Sequence, residues 1–236
     1  MFPLKDDVPA RRFPAVNLWI IIVNVLVFLY QLSLGAAMEE FILTYGFIPA
    51  RLLGPLPAGM AEGPPLLPVF TSMFLHGNLL HIVSNMWMLW IFGDNVEDRM
   101  GHGRYLLFYL LCGVAALILQ TWSAPAAQSP MIGASGAIAG VLGAYFLLFP
   151  GARILTFVPV FILFYLLEVP AVFFIGFWFV LQFLQGTAQY AATRGALEGG
   201  VAFWAHVGGF LAGLVLVRFF VRNFRHWRLF SEGGEA

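Results

Sequence analysis

Apolar runs long enough to enter a lipid bilayer recur along this chain from residue 18 to residue 221. A helix needs about 20 predominantly apolar residues to cross the hydrocarbon core. Six stretches approach or reach that length: Leu18–Leu34, Leu79–Phe92 (extended back to about His76), Tyr105–Trp122, Gly133–Phe149, Val169–Gln189 and Val201–Val221. Only 10% of the residues are charged and the mean hydropathy is +0.86, against about 25% charge in a soluble domain. The first run follows Lys5, Arg11 and Arg12, as a signal peptide would. It is long for a signal peptide, and five more runs follow, so it reads as an uncleaved helix. A net charge of zero implies no nucleic-acid partner. The single cysteine, Cys112, lies within an apolar run, where packing is its expected role.

Ile154–Leu167 is apolar but short and interrupted by Pro159, which suits a re-entrant or interfacial segment better than a span. Charge placement agrees. With six spans and the N-terminus inside, the inner segments hold Lys5, Arg11, Arg12, Arg99, Arg104, Arg153, Arg218, Arg222, Arg225 and Arg228. The outer ones hold only Arg51 and Arg194. That asymmetry follows the positive-inside rule, and a seventh span would reverse it at the C-terminal end. The expected fold is an all-α membrane protein, a six-helix bundle, with a long first loop from about Gly35 to Leu75. That loop carries Gly46-Phe47-Ile48-Pro49-Ala50 and a proline-rich run from Pro55 to Pro68. Leu52, Leu53, Leu56, Leu66 and Leu67 suit it to the outer membrane interface. Residues 1–16 read as an N-terminal tail, 17–222 as the six-span domain and 223–236 as a basic then acidic C-terminal tail. By composition, the want of a transit peptide points to a prokaryotic plasma (inner) membrane, with both termini cytoplasmic.

Strongly polar side chains inside spans are costly and usually functional. Those that draw notice are His81 and Asn85 in span two, Ser135 in span four, Gln182 in span five and His206 in span six. A lone membrane serine commonly bonds back to its own helix, a lone histidine can pair with a carbonyl, and Gln182 reads as interhelical glue with no nameable partner. Depth changes these odds. Spans two, four and six all begin at the outer face, and Ser135 and His206 both fall within roughly 10 Å of those ends at 1.5 Å per residue. His81 and Asn85 lie at similar or slightly greater depth. Asn78, His81 and Asn85 share one helix face, as do His206, Gly209 and Gly213. Gly136-xxx-Gly140 and Gly209-xxx-Gly213 would let two helix backbones approach closely, bringing Ser135 and His206 within reach of each other.

A serine needs a base to become a nucleophile, and histidine is the usual one. No carboxylate lies in a span to orient His206, so the unit would be a dyad. The oxyanion of an acyl-transfer intermediate needs donors. Asn85, His81 and the backbone N–H groups near Ser135 are suitable.

Four elements together resemble the rhomboid family of intramembrane serine proteases. They are Gly133-Ala134-Ser135-Gly136, the His76…His81…Asn85 series, Ala205-His206 with Gly209, and Gly93 through Glu97 to Gly101 as a turn after span two. The resemblance covers about residues 15–222. It implies Ser135 as nucleophile, His206 as general base, and His81, Asn85 and the Ser135 amide as oxyanion donors. The implied substrate is a transmembrane segment of another protein, entering sideways from the bilayer and cut near its outer end. No metal or other cofactor is implied, and the oligomeric state is not set. Glu97 would hold the inner loop, and His76 would be structural. Two departures stand out. Some bacterial members carry an aromatic residue four positions after the nucleophile, stacked on the histidine; here it is Ala139, and Trp204 is the nearby aromatic candidate. Some have a Trp-Arg pair in the first loop, which here has Arg51 and no tryptophan.

Other chemistries fit less well. There is no HExxH helix for a zinc protease, no pair of intramembrane aspartates, and no GxSxG elbow, since position 137 is alanine. A transporter would spread polar residues along a path through the membrane. A non-proteolytic rhomboid-like client-binding protein is the alternative, but such proteins typically lack the serine or the histidine.

Overall fold

The computed structural model describes residues 1–53, 66–160, 163–193 and 201–221. The order is strand β1 (Phe2–Asp6), α1 (Ala15–Ser33), α2 (Met38–Tyr45), α3 (Pro49–Leu53), α4 (Leu67–Thr71), α5 (Leu79–Met100), α6 (His102–Ser123), α7 (Ser135–Leu148), β2 (Arg153–Val160), β3 (Leu163–Pro170), α8 (Ala171–Thr193) and α9 (Phe203–Phe220). Single 3-10 turns at Gly35–Ala37 and Ser72–Phe74 flank the first loop. Within the described residues, α1, α6, α8 and α9 are long and apolar enough to cross a membrane. Helix α7 is apolar but 14 residues long. Helix α5 has 22 residues and takes in Asp94, Glu97, Asp98 and Arg99 at its far end. The chain is therefore a largely helical, multi-pass membrane protein.

Helix α7 is the centre of the bundle: every residue from Gly136 to Tyr145 is buried. Glycine makes its closest contacts possible. A methyl group added at Gly209 on α9 would fall inside the Gly136 carbonyl oxygen, and one at Gly213 inside the Gly140 carbonyl oxygen. One at Gly143 would meet the Phe210 carbonyl oxygen. The glycine strips of α7 and α9 thus face one another, backbone against backbone, as the spacing leads one to expect. Trp90, Phe173, Phe177, Leu211 and Phe219 point outward, as lipid-facing side chains do.

Two expectations need correction. The chain is not wholly helical: Ile154–Val160 and Leu163–Leu167 lie in two antiparallel strands whose pairing runs from Arg153 opposite Pro170 to Val160 opposite Leu163. Pairing closes the backbone hydrogen bonds between the strands, and the β-branched and aromatic residues of the stretch favour that conformation. Pro159, which lacks an N–H, lies beyond the part of β2 that β1 covers, so it interrupts only one edge. Within the segment read as an N-terminal tail, residues Phe2–Asp6 form β1, and they pair with β2, Phe2 opposite Phe157 and Asp6 opposite Ile154. The strand is fastened at Asp6, whose Oδ2 accepts hydrogen bonds from Asn95 Nδ2 (2.7 Å) and Tyr145 OH (2.5 Å). Trp87 Nε1 donates to the Pro3 carbonyl at 2.6 Å. Burial pushes the Asp6 carboxyl above the usual carboxylate range, although the Tyr145 bond acts the other way.

The second correction concerns Gly93–Gly101. It is not a turn: α5 continues through it, and only Gly101 (φ +82°) leaves the helix. Glu97 is buried there and its carboxylate accepts the N–H groups of Val16 (3.0 Å) and Asn17 (2.7 Å) at the start of α1, with His102 Nδ1 on the same carboxylate. A carboxylate on the free N–H groups of a helix start satisfies both the orphan donors and the dipole. Glu97 therefore ties α1 to α5, holding the start of α1 rather than the inner loop it was expected to hold.

The first loop is pinned to the segment that leads into α7. Phe47 and Met131 exchange backbone hydrogen bonds, Ala50 N–H donates to Ala127, and Gly133 N–H donates to Ser72 (2.9 Å). Leu52 and Leu66 are exposed. Leu56 and residues 54–65 of the proline-rich run lie outside the described residues, as does the segment 223–236 read as a C-terminal tail.

Candidate active site

Ser135 is the first residue of α7. The first bond of the helix ladder runs from Ile138 N–H to the Ala134 carbonyl, so the N–H groups of Ser135, Gly136 and Ala137 have no partner within the helix. Just before it, Gly133 holds φ at +121°, a conformation that L side chains rarely adopt. His206 sits in the first turn of α9. That turn is fixed by Gln120 Oε1, which accepts the Ala205 N–H at 3.0 Å. The glycine contacts between α7 and α9 then set the spacing, and His206 Nε2 lies 2.8 Å from Ser135 Oγ.

His81 stands in the first turn of α5, its own N–H accepted by the Asn78 side chain at 2.9 Å. Its Nδ1 accepts the Gly77 N–H at 3.5 Å, which leaves Nε2 to carry the ring proton. Asn85 follows one turn later and is buried; among the described residues its Nδ2 has no hydrogen-bond partner. Both donors face the approach to Ser135: a methyl group built on Gly133 would lie 2.7 Å from His81 Nε2 and 3.7 Å from Asn85 Nδ2. Ser135, His206, His81 and Asn85 thus converge on one place, with two side-chain donors beside a free helix start. Such a grouping can deprotonate a hydroxyl and receive a developing oxyanion.

Three findings go beyond the sequence reading. Gln182 is not without a partner: its Oε1 lies 2.7 Å from His206 Nδ1. Trp204 does not hold the histidine; its ring packs edge-on against Phe183 (5.8 Å between centroids). Trp178 of α8 lies by the imidazole instead, 6.0 Å away and tilted by 36°. Gln31 also matters. It is buried in α1 and brackets His76, accepting its N–H at 3.0 Å and donating to its carbonyl at 3.2 Å. Gln31 and Gln120 are polar residues inside spans like the others. Both lie near the outer ends of spans one and three, and that depth is the signal that could have found them.

A family model of the Rhomboid domain matches residues 65–223. Rhomboid protein 1, mitochondrial, of Saccharomyces cerevisiae is 32% identical over 151 residues, covering 62% of this chain and 40% of that protein. Presenilin-associated rhomboid-like protein A, mitochondrial, of Danio rerio is 29% identical over 157 residues, 63% of this chain and 36% of that protein. The Homo sapiens presenilin-associated rhomboid-like protein, mitochondrial, is 28% identical over 161 residues, 64% and 37%. The chain thus spans well under half the length of these relatives. Their mitochondrial location overturns the expectation of a prokaryotic plasma membrane. That expectation rested on composition alone, and span hydropathy does not report which membrane a helix crosses.

Proposed function

The chain belongs to the rhomboid family, and from that premise we propose that it is an intramembrane serine endopeptidase acting on transmembrane segments of other proteins. The observation that carries this reading is the 2.8 Å approach of His206 Nε2 to Ser135 Oγ. In the proposed reaction His206 takes the hydroxyl proton as Ser135 Oγ attacks the scissile carbonyl. His81 Nε2–H, Asn85 Nδ2 and the Ser135 N–H receive the oxyanion. His206 then protonates the leaving amine, and water releases the acyl group by the same route in reverse. Helices α1, α5, α6, α7, α8 and α9 are the six spans of this proposal, within a domain of residues 17–222. Ser135, at the start of α7, puts the cut near one end of the substrate segment.

The test is labelling of the purified protein with a fluorophosphonate probe. The wild type is expected to label, Ser135→Ala to lose all labelling and His206→Ala most of it. Labelling that persists in Ser135→Ala would remove the nucleophile. A wild type that binds a transmembrane peptide but neither labels nor cleaves would favour a client-binding protein.

A further inference from the structure

We propose that Gln182 is the positioning residue for His206, holding it through a neutral acceptor in the tautomer that can act as a base. The proposal rests on the reading of Ser135 and His206 as a dyad. It starts from a gap in that dyad. Two imidazole nitrogens must be told apart for the ring to work, since only an unprotonated Nε2 can take the serine proton. A third group bonded to Nδ1 normally decides which nitrogen is protonated. Gln182 Oε1 is at 2.7 Å from Nδ1. A carbonyl oxygen can only accept, so Nδ1 must carry the proton, and the lone pair of Nε2 is left facing Ser135 Oγ at 2.8 Å. Had the glutamine presented its NH₂ there, Nε2 would be the protonated nitrogen and would donate to the serine instead of accepting from it.

The surroundings supply the rest of the argument. Gln182 follows Phe179, Val180 and Leu181 and precedes Phe183 and Leu184, so a strongly polar amide on this stretch of span needs a partner. Trp178 and Gln182 are four residues apart and share one face of α8. The first sets its ring beside the imidazole and the second bonds Nδ1. Between them they restrict the tilt and rotation that Ala139, a methyl group, leaves free. An amide serves where a carboxylate would be expensive: no ion has to be kept within the bilayer while the ring is neutral. When the ring takes up the serine proton, Nδ1–H still has its acceptor.

The same contact makes the base depend on α8, which is the least enclosed of the four long apolar helices. Some 22% of its span is buried, against 50% for α6 and 44% for α9. His206 is thus held between a firmly packed helix that carries it and a loosely packed one that orients it.

The experiment compares Gln182→Met and Gln182→Glu with the wild type on a transmembrane-segment substrate in lipid micelles. Methionine matches the shape of glutamine but has no strong acceptor; glutamate keeps an acceptor oxygen at the same reach. The methionine variant is expected to unfold at the wild-type temperature, keep its KM and lose kcat by roughly 10–100-fold, as for a lost bond to a buried polar group. The glutamate variant is expected to retain most of kcat at pH values where its carboxyl is ionised and to lose it where the carboxyl is protonated, since the O–H can then donate to Nδ1. The ¹⁵N shifts of the His206 ring, identified against His206→Ala among the five histidines, should report protonation at Nδ1 in the wild type and mixed tautomers with methionine. Packing alone would raise KM or lower stability and leave the tautomer unchanged. A methionine variant with wild-type kcat, or with Nδ1 still protonated, overturns the proposal. If glutamate does not fold, the methionine kcat and ring shifts still decide. Persistent labelling in Ser135→Ala would instead overturn the dyad, so the two failures are separable.

Discussion

Gly133→Ala puts the oxyanion side of the site under a measurable strain. The added methyl group would lie 2.7 Å from His81 Nε2 and 2.8 Å from its Cε1, about 0.7 Å inside ordinary contact. His81 cannot easily give way. Its N–H is bonded to Asn78, its Nδ1 to Gly77, and its ring packs edge-on to His76 at 5.0 Å. The backbone cannot easily give way either, because Gly133 N–H is bonded to Ser72 and φ is +121°. An L residue in such a conformation costs about 1–3 kcal/mol, and shifting a packed ring adds about 1 kcal/mol. The variant should lose about 2–4 kcal/mol of stability in reversible unfolding. Displacing an oxyanion donor by most of an ångström should cost roughly 10²-fold in turnover. A double-mutant cycle separates the two contributions. Adding His81→Ala removes the clash but not the backbone strain, so it should recover about 1 kcal/mol of stability and none of the turnover. Wild-type turnover in Gly133→Ala, or strictly additive stabilities in the cycle, would refute the placing of His81 beside this glycine.

Gly209→Ala forces α9 away from the Gly136 carbonyl, and the expected result is about 1–3 kcal/mol lost in thermal unfolding with fluorophosphonate labelling slowed roughly 10²-fold. Gly176→Ala on α8 is the control: its nearest neighbour would be Phe146 Cε2 at an ordinary 3.7 Å, so stability should be unchanged or rise by up to about 1 kcal/mol. Gln31→Leu strips two partners from the His76 backbone and should cost about 1–3 kcal/mol, read as a lower unfolding midpoint. Asp6 gives a pH dependence. Its pKa is raised in the folded state, so the native protein holds that proton more tightly than the unfolded chain. Its contribution is greatest at acid pH and is lost as pH rises from the ordinary aspartate value through the raised one. Unfolding midpoints across that range should diverge between the wild type and Asp6→Asn, and parallel curves would exclude the effect.

The apolar runs were readable because the bilayer imposes a length and tolerates few charges, so Leu18–Leu34 and Tyr105–Trp122 mark their helices to within a few residues. Ser135, His206, His81 and Asn85 were readable because a polar residue in a span stands out and their depths agree. The partner of Gln182 was not, because depth along a helix says nothing about which neighbour its face meets. The hairpin was hidden for a different reason. Apolar residues on both faces of Ile154–Leu167 remove the alternation that usually betrays a strand, and Phe2–Asp6 is legible as a strand only once β2 is known to lie beside it. The end of α5 was misread because the series Gly93, Glu97, Gly101 was taken by resemblance as a turn, whereas the contacts at Gly93 require a residue without a side chain within a continuing helix. A methyl group at Gly93 would overlap Asn17 and press on the Tyr105 hydroxyl.

The pairing of β1 with β2 also sets an order of assembly. Phe157 is made some 155 residues after its partner Phe2, which at about 5–20 residues per second is a wait of roughly 8–30 seconds. For that interval the strand has no sheet to join, and Asp6 cannot gain its bond from Tyr145 before α7 is in the membrane. Closure of the sheet therefore comes after insertion of the helix that carries Ser135, and a segment made before α1 waits for one made after α7.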